Sequence, residues 1–207
     1  MKTIVLFLSC MFCSTVSSQV DSEKLFKSFK QGDRTNCASI ALIKASLNIY
    51  GLNNLFTLDE TNPNAIKATL KDNSIVILNQ EELTKAEKSA GFVIIEDSQD
   101  SKDIIKYAIL TYAVMAKHKQ NIEDYKTYQE ALDDLEYGAF AGDVAKYLGF
   151  KKGKQFVKHW RATGGGNCGL IAWSPAHAVY ACNGIMDYHG TKRPLWAKYS
   201  GRIQIIK

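Results

Sequence analysis

A cysteine stands where a helix begins. Gln31-Gly32-Asp33-Arg34-Thr35-Asn36 leads into Cys37 and then into Ala38-Ser39-Ile40-Ala41-Leu42-Ile43-Lys44-Ala45-Ser46-Leu47-Asn48-Ile49-Tyr50, with Gly51 as the stop. The first backbone N–H groups of a helix have no partner inside it, and its dipole is positive at that end. Negative charge on sulfur is favoured there, and the thiolate is the reactive form of cysteine. A thiol nucleophile needs a base within hydrogen-bond reach and a third group to orient that base.

Four histidines are available as the base: His118, His159, His177 and His189. His118 ends a helical stretch among lysines, a solvated position. His159 lies between Lys158 and Trp160, and His189 follows a hairpin. His177 directly follows Ser174-Pro175-Ala176 and opens the small, apolar strand pattern Ala178-Val179-Tyr180-Ala181-Cys182. It stands 140 residues after Cys37, within the roughly 130–150 that separate nucleophile from histidine in papain-type enzymes. Gln31, six residues before Cys37, is placed to join the Cys37 backbone N–H in an oxyanion hole.

On these residues the chain resembles the papain-like cysteine peptidase superfamily: Gln31 before Cys37 at a helix start, then His177 opening a late strand, in that order and spacing. The resemblance implies an α+β fold, with a central N-terminal helix carrying Cys37 packed on a C-terminal antiparallel β-sheet. It implies acyl transfer at peptide or isopeptide bonds through a Cys37 thioester, with His177 as general base, Gln31 in the oxyanion hole and a protein or peptide as substrate. Deamidation or transfer to an amine would use the same thioester with a different acceptor. A non-catalytic exported binding module keeping the fold is the rival reading. Two features depart from the family: Ala38 follows the nucleophile where an aromatic residue is common, and no Asn-Ser-Trp follows His177. The group that holds the His177 ring is therefore open. Asp187 is the first choice, Asn183 the second, and a dyad with no third member the last. A strict two-residue turn at Asn183-Gly184 pairs Cys182 with Ile185, which leaves Asp187 off the position opposite His177.

The remaining chain must supply the frame. Met1-Lys2-Thr3, the apolar run Ile4 to Cys13, and Ser14 to Ser18 form the pattern of a secretory signal cut near Ser18. That predicts a secreted or periplasmic protein, with lipoprotein anchoring at Cys10 or Cys13 the lesser alternative. Residues 19–207 then form one domain, with no transmembrane span. Of the five cysteines, Cys37, Cys168 and Cys182 remain. An odd number in an exported chain leaves at least one free thiol or an intermolecular pair; the simplest reading has Cys37 free, with Cys168 and Cys182 either bridged or both reduced and buried.

The net charge of +5 is dispersed, which argues against nucleic acid as a partner. No cysteine–histidine set has metal-ligand spacing, so neither metal nor cofactor is expected. Gly164-Gly165-Gly166 lacks the Lys-Ser/Thr and helix of a phosphate loop and is expected to be a turn.

Hydrophobic periodicity predicts helices over 80–90, 101–118, 122–135 and 142–148, and a short helix within 21–29. A hairpin is expected over 65–70 and 74–78, and 92–95 is a strand or a helix lead-in. Strands are expected at 155–160, 169–173, 177–182, 185–188 and 202–206. Lys44 is the only charge on a helix that is apolar almost all round, as a centrally buried helix is.

Overall fold

The computed structural model describes residues 19–150, 154–156 and 168–207. The expected signal segment 1–18, His159, Trp160 and Gly164-Gly165-Gly166 lie outside the described residues.

The chain is α+β: the described α-helices lie in residues 22–136 with five short strands among them, and the last third is built of antiparallel strands. Helix α1 (Ser22–Ser28) runs into a short strand, β1 (Phe29–Gln31), and then comes the nucleophile's helix, α2 (Cys37–Tyr50). A three-stranded sheet follows, formed by β2 (Thr57–Asp59), β3 (Ala65–Thr69) and β4 (Ile75–Asn79). Next come α3 (Gln80–Ala90), β5 (Phe92–Ile94), α4 (Gln99–Ile122), α5 (Tyr128–Glu136) and a 3-10 turn at Val144–Leu148. The last third holds β6 (Lys154–Phe156), β7 (Leu170–Trp173), β8 (Ala178–Cys182), β9 (Ile185–Tyr188), β10 (Thr191–Pro194) and β11 (Gly201–Ile205). These six make one sheet in the order β10-β9-β8-β7-β11-β6, and every pairing is antiparallel.

Two expected helix boundaries move. The α4 helix runs to Ile122, and the next helix starts only at Tyr128. Thr127 explains the new start: its hydroxyl accepts from Glu130 N–H while the Glu130 carboxylate accepts from Thr127 N–H, a capping box. His118 is not solvated. It is 4% exposed, with Nδ1 3.2 Å from the Tyr147 carbonyl. The α4 helix is covered on that side by the 3-10 turn, so His118 and Lys119 are internal although the helix end at Ile122 is exposed.

Helix α2 is the axis of the fold. Leu42, Ile43, Ala45 and Leu47 are fully buried, and each large apolar side chain so removed from water stabilises the fold by roughly 1.5–3 kcal/mol. The helix packs on β8 and β7. Strand β8 is buried along its whole length and alternates with period two. Ala178, Tyr180 and Cys182 belong to the main core with α2. Val179 and Ala181 belong to a smaller core with Leu170, Met186, Leu195 and Tyr199 on the other face. A strand covered on both faces reads as a continuous apolar run, and this one delivers its N-terminal neighbour, His177, beside the start of α2.

Candidate active site

Cys37 is the first residue of α2. It is the free cysteine among the described residues and is half-buried. Cys168 and Cys182 are bridged, which settles the alternative left open by the sequence. The loop before Cys37 is tied down on several sides. The Asn36 side chain makes no cap bond with α2. Its Nδ2 donates instead to the Ala90 carbonyl at the end of α3, at 2.8 Å. Arg34 forms an ion pair with Glu136 at the end of α5, at 2.5 Å, and the Thr35 hydroxyl donates to the Glu136 carbonyl. Gly32 lies so close to Gly91 that a Cβ on it would stand 2.5 Å from the Gly91 oxygen, so any side chain there would push this loop off its support.

Two cavities meet at the start of α2. The larger, about 540 Å³, is an open groove with Cys37 and His177 in its lining, walled by Thr35, Phe140 and Trp173. Among the described residues no Asp, Glu, Lys or Arg lines it. The smaller, about 20 Å³, shares Cys37, His177 and Ala178 with it and is also lined by Gln31, Tyr180, Asp187 and His189, among others. Four sequence-predicted residues from four segments therefore border one small space: Gln31 at the end of β1, Cys37 on α2, His177 before β8 and Asp187 on β9. Asn183 is not brought there. It sits in the β8–β9 turn with φ of 51°, at the other end of β8 from His177, about 20 Å away along an extended strand.

Asp187 reaches the cavity because the β8–β9 ladder is short. Cys182 pairs with Ile185 and Ala181 with Met186, as a two-residue turn requires, and the pairing ends there. On its other edge β9 pairs with β10 over its whole length, so Asp187 is held by Lys192 alone in the ladder. Asp187 is 8% exposed, and both its oxygens are engaged. Oδ2 accepts from Lys44 Nζ at 2.5 Å and Oδ1 from Gly190 N–H at 2.8 Å. Gln31 also has a local partner, since its Nε2 donates to the Arg34 carbonyl. An amide nitrogen carries two N–H donors, so this bond engages one of them.

The His177 ring is packed among aromatic rings. His189 stacks on it with centroids 4.4 Å apart, and Tyr188 and Tyr199 meet it edge-on at 5.9 and 6.5 Å. Burial is the largest cause holding its pKa down, and the like charge of His189 adds to it. Asp187 works in the opposite direction, Lys198 lowers it further, and the result is about 4. His177 is therefore neutral through the physiological range, free to accept a proton but a weaker base than an ordinary imidazole. His189 and Lys44 are the members of this neighbourhood that motif reasoning passed over. Lys44 carried a usable signal, because a lone charge on an otherwise apolar buried helix must find a partner.

No protein-family model matches this chain, and neither the curated proteins nor the solved structures contain a match. Among the described residues no helix is long and apolar enough to cross a membrane, and no group of three or more His, Cys, Asp or Glu could hold a metal ion.

Proposed function

We propose that this protein is a papain-like thiol hydrolase acting on peptide or isopeptide bonds. The observation that supports it most is the convergence of Gln31, Cys37, His177 and Asp187 on one cavity that shares Cys37 and His177 with an open groove. In this reading the Cys37 sulfur attacks the amide carbonyl carbon while His177 takes the thiol proton. The tetrahedral oxyanion is held by the Cys37 N–H and the Gln31 amide. Collapse breaks the C–N bond, and His177 returns its proton to the leaving amine. Water then attacks the thioester with His177 again as base, releasing the acid and the free thiol. Asp187 acts on the His177 ring across the small cavity. The uncharged groove lining favours substrate segments without charge beside the reacting bond, since a charged side chain would lose its hydration there without gaining a partner.

Two further points accompany this reading. The Cys168–Cys182 bridge suits an oxidising compartment and supports an exported location for residues 19–207. The engagement of Gln31 by Arg34 is the observation that favours the rival, a binding module that keeps the fold without the chemistry. Incubation of residues 19–207 with an unfolded protein substrate, with and without a primary amine, separates the possibilities. Mass spectrometry would show new termini for hydrolysis, a one-dalton gain for deamidation and an amine adduct for transfer, each abolished in Cys37→Ala and His177→Ala. No product of any kind, or equal product from the Cys37→Ala variant, would favour the binding module.

A further inference from the structure

The charge that α2 carries in its interior has no role in the chemistry just described, yet its contacts all lead to the site. Lys44 lies seven residues after Cys37, two helical turns along the same face. Its side chain is 0% exposed. The ammonium donates to Asp187 Oδ2 and to the Phe29 carbonyl, and lies 4.6 Å from the centre of the Phe29 ring. Phe29 begins the strand that ends at Gln31. One ammonium thus joins three segments: the helix of Cys37, the strand of Gln31 and the strand of Asp187.

We propose that Lys44 is a positioning residue of this site, the buried hub that holds the Gln31 strand and the Asp187 carboxylate in register with the nucleophile's helix. The inference rests on the thiol-hydrolase reading. A buried ion pair is not needed to stabilise a core, since apolar residues of similar volume serve as well or better. Its value here lies in geometry. The Asp187 carboxylate is fixed at both oxygens, by Lys44 from the helix side and by Gly190 N–H from its own turn. It therefore faces the cavity in one orientation. Lys44 also compensates the Asp187 charge, so that His177 is not required as its counter-ion. The ionisable groups facing His177 are Cys37 on α2, Tyr180 on β8, Asp187 and Tyr188 on β9, His189 in the β9–β10 turn, Lys198 and Tyr199 before β11, and Lys30 of β1 across the small cavity.

The test compares Lys44→Met, which keeps the length and removes the charge, with Lys44→Met/Asp187→Asn, which removes the pair together. Three quantities are read on the folded protein: thermal midpoint, rate of Cys37 alkylation by iodoacetamide with mass mapping, and the NMR titration midpoint of His177. Lys44→Met is expected to slow Cys37 alkylation roughly tenfold or more. It is also expected to raise the His177 midpoint by about one pH unit or more, because the ring turns away from Cys37 towards the orphaned carboxylate, which favours the imidazolium. The double variant is expected to recover thermal stability, since no unpaired buried charge is left, while alkylation stays slow. Recovery of both stability and alkylation in the double variant would overturn the proposal and leave the pair a structural bolt. An unchanged alkylation rate and His177 midpoint in Lys44→Met would overturn it too. Should Lys44→Met not fold, the double variant alone decides. His177→Ala separates this outcome from failure of the underlying reading: if it leaves Cys37 alkylation unaffected, the hydrolase reading itself falls, whatever Lys44 does.

Discussion

An imidazole held near pKa 4 behaves unlike an ordinary one under mild acid, and the difference is large enough to measure. The perturbation is acidification from pH 7 to pH 4. An unperturbed histidine, with a pKa of about 6.5, is ~97% protonated at pH 5, whereas His177 at about 4 would be ~9% protonated. The neutral, base-competent fraction at pH 5 then differs roughly thirtyfold between the two cases. Stability moves with it. The folded-state pKa lies below the unfolded one, so between about pH 6.5 and 4 the unfolded chain binds more protons. Stability therefore rises with pH across that window and is lost as pH falls through it. The ceiling on this contribution is ~3 kcal/mol, reduced by solvent because the ring is not fully enclosed. The assay is the pH titration of the histidine ring signals by proton–carbon NMR, with His177→Ala assigning the resonance. His189→Ala removes the stacked like charge and is expected to raise the His177 midpoint while leaving Asp187 in place. A wild-type midpoint at pH 6 or above would refute the reasoning that burial and the stacked ring outweigh the carboxylate.

Two further outcomes follow from contacts outside the site. Replacing Cys168 and Cys182 by serine opens a short loop, with partners fourteen residues apart in sequence. This is expected to cost about 3 kcal/mol in the chain-entropy account and to lower the thermal midpoint by roughly 6–12 °C; an unchanged midpoint would contradict it. Glu123 is pushed up by burial but more strongly down by hydrogen bonds from Lys119, Lys146 and Tyr147, to about 2. Its depressed pKa contributes stability above about pH 4.5 that is lost as pH falls towards 2. Glu123→Gln is expected to lower the midpoint at pH 7, by a gap that closes on acidification, as read by calorimetry across pH 2–7; a gap constant with pH would refute the linkage.

Most of the frame was legible because its signals are local. Gly51 and Gly91 stop α2 and α3 where the sequence places them, and the 65–69 and 75–79 hairpin is fixed by its own turn. The two-residue turn at Asn183-Gly184 sets the β8–β9 register as expected. What was not legible is set by partners distant in sequence. His118 looked solvated among lysines and is buried because a turn 29 residues on covers it. Asp187 looked misplaced by hairpin register, but the β8–β9 ladder stops after two pairs, while β9 stays paired with β10 along its whole length. Lys44 showed as a lone charge, but its partners lie 15 and 143 residues away along the chain. The Asn36 side chain, a natural helix cap by type, is drawn off to the Ala90 carbonyl. Such contacts arise only once segments distant in sequence are packed together.

The central claim is that Cys37 is a nucleophile activated by His177. The most direct measurement is the second-order rate of Cys37 alkylation by iodoacetamide at pH 6, mapped by mass spectrometry, in the wild type and in His177→Ala, against free cysteine. The account predicts that wild-type Cys37 reacts faster than free cysteine and that His177→Ala removes the advantage. A wild-type rate no greater than that of free cysteine, or one indifferent to His177, would contradict it.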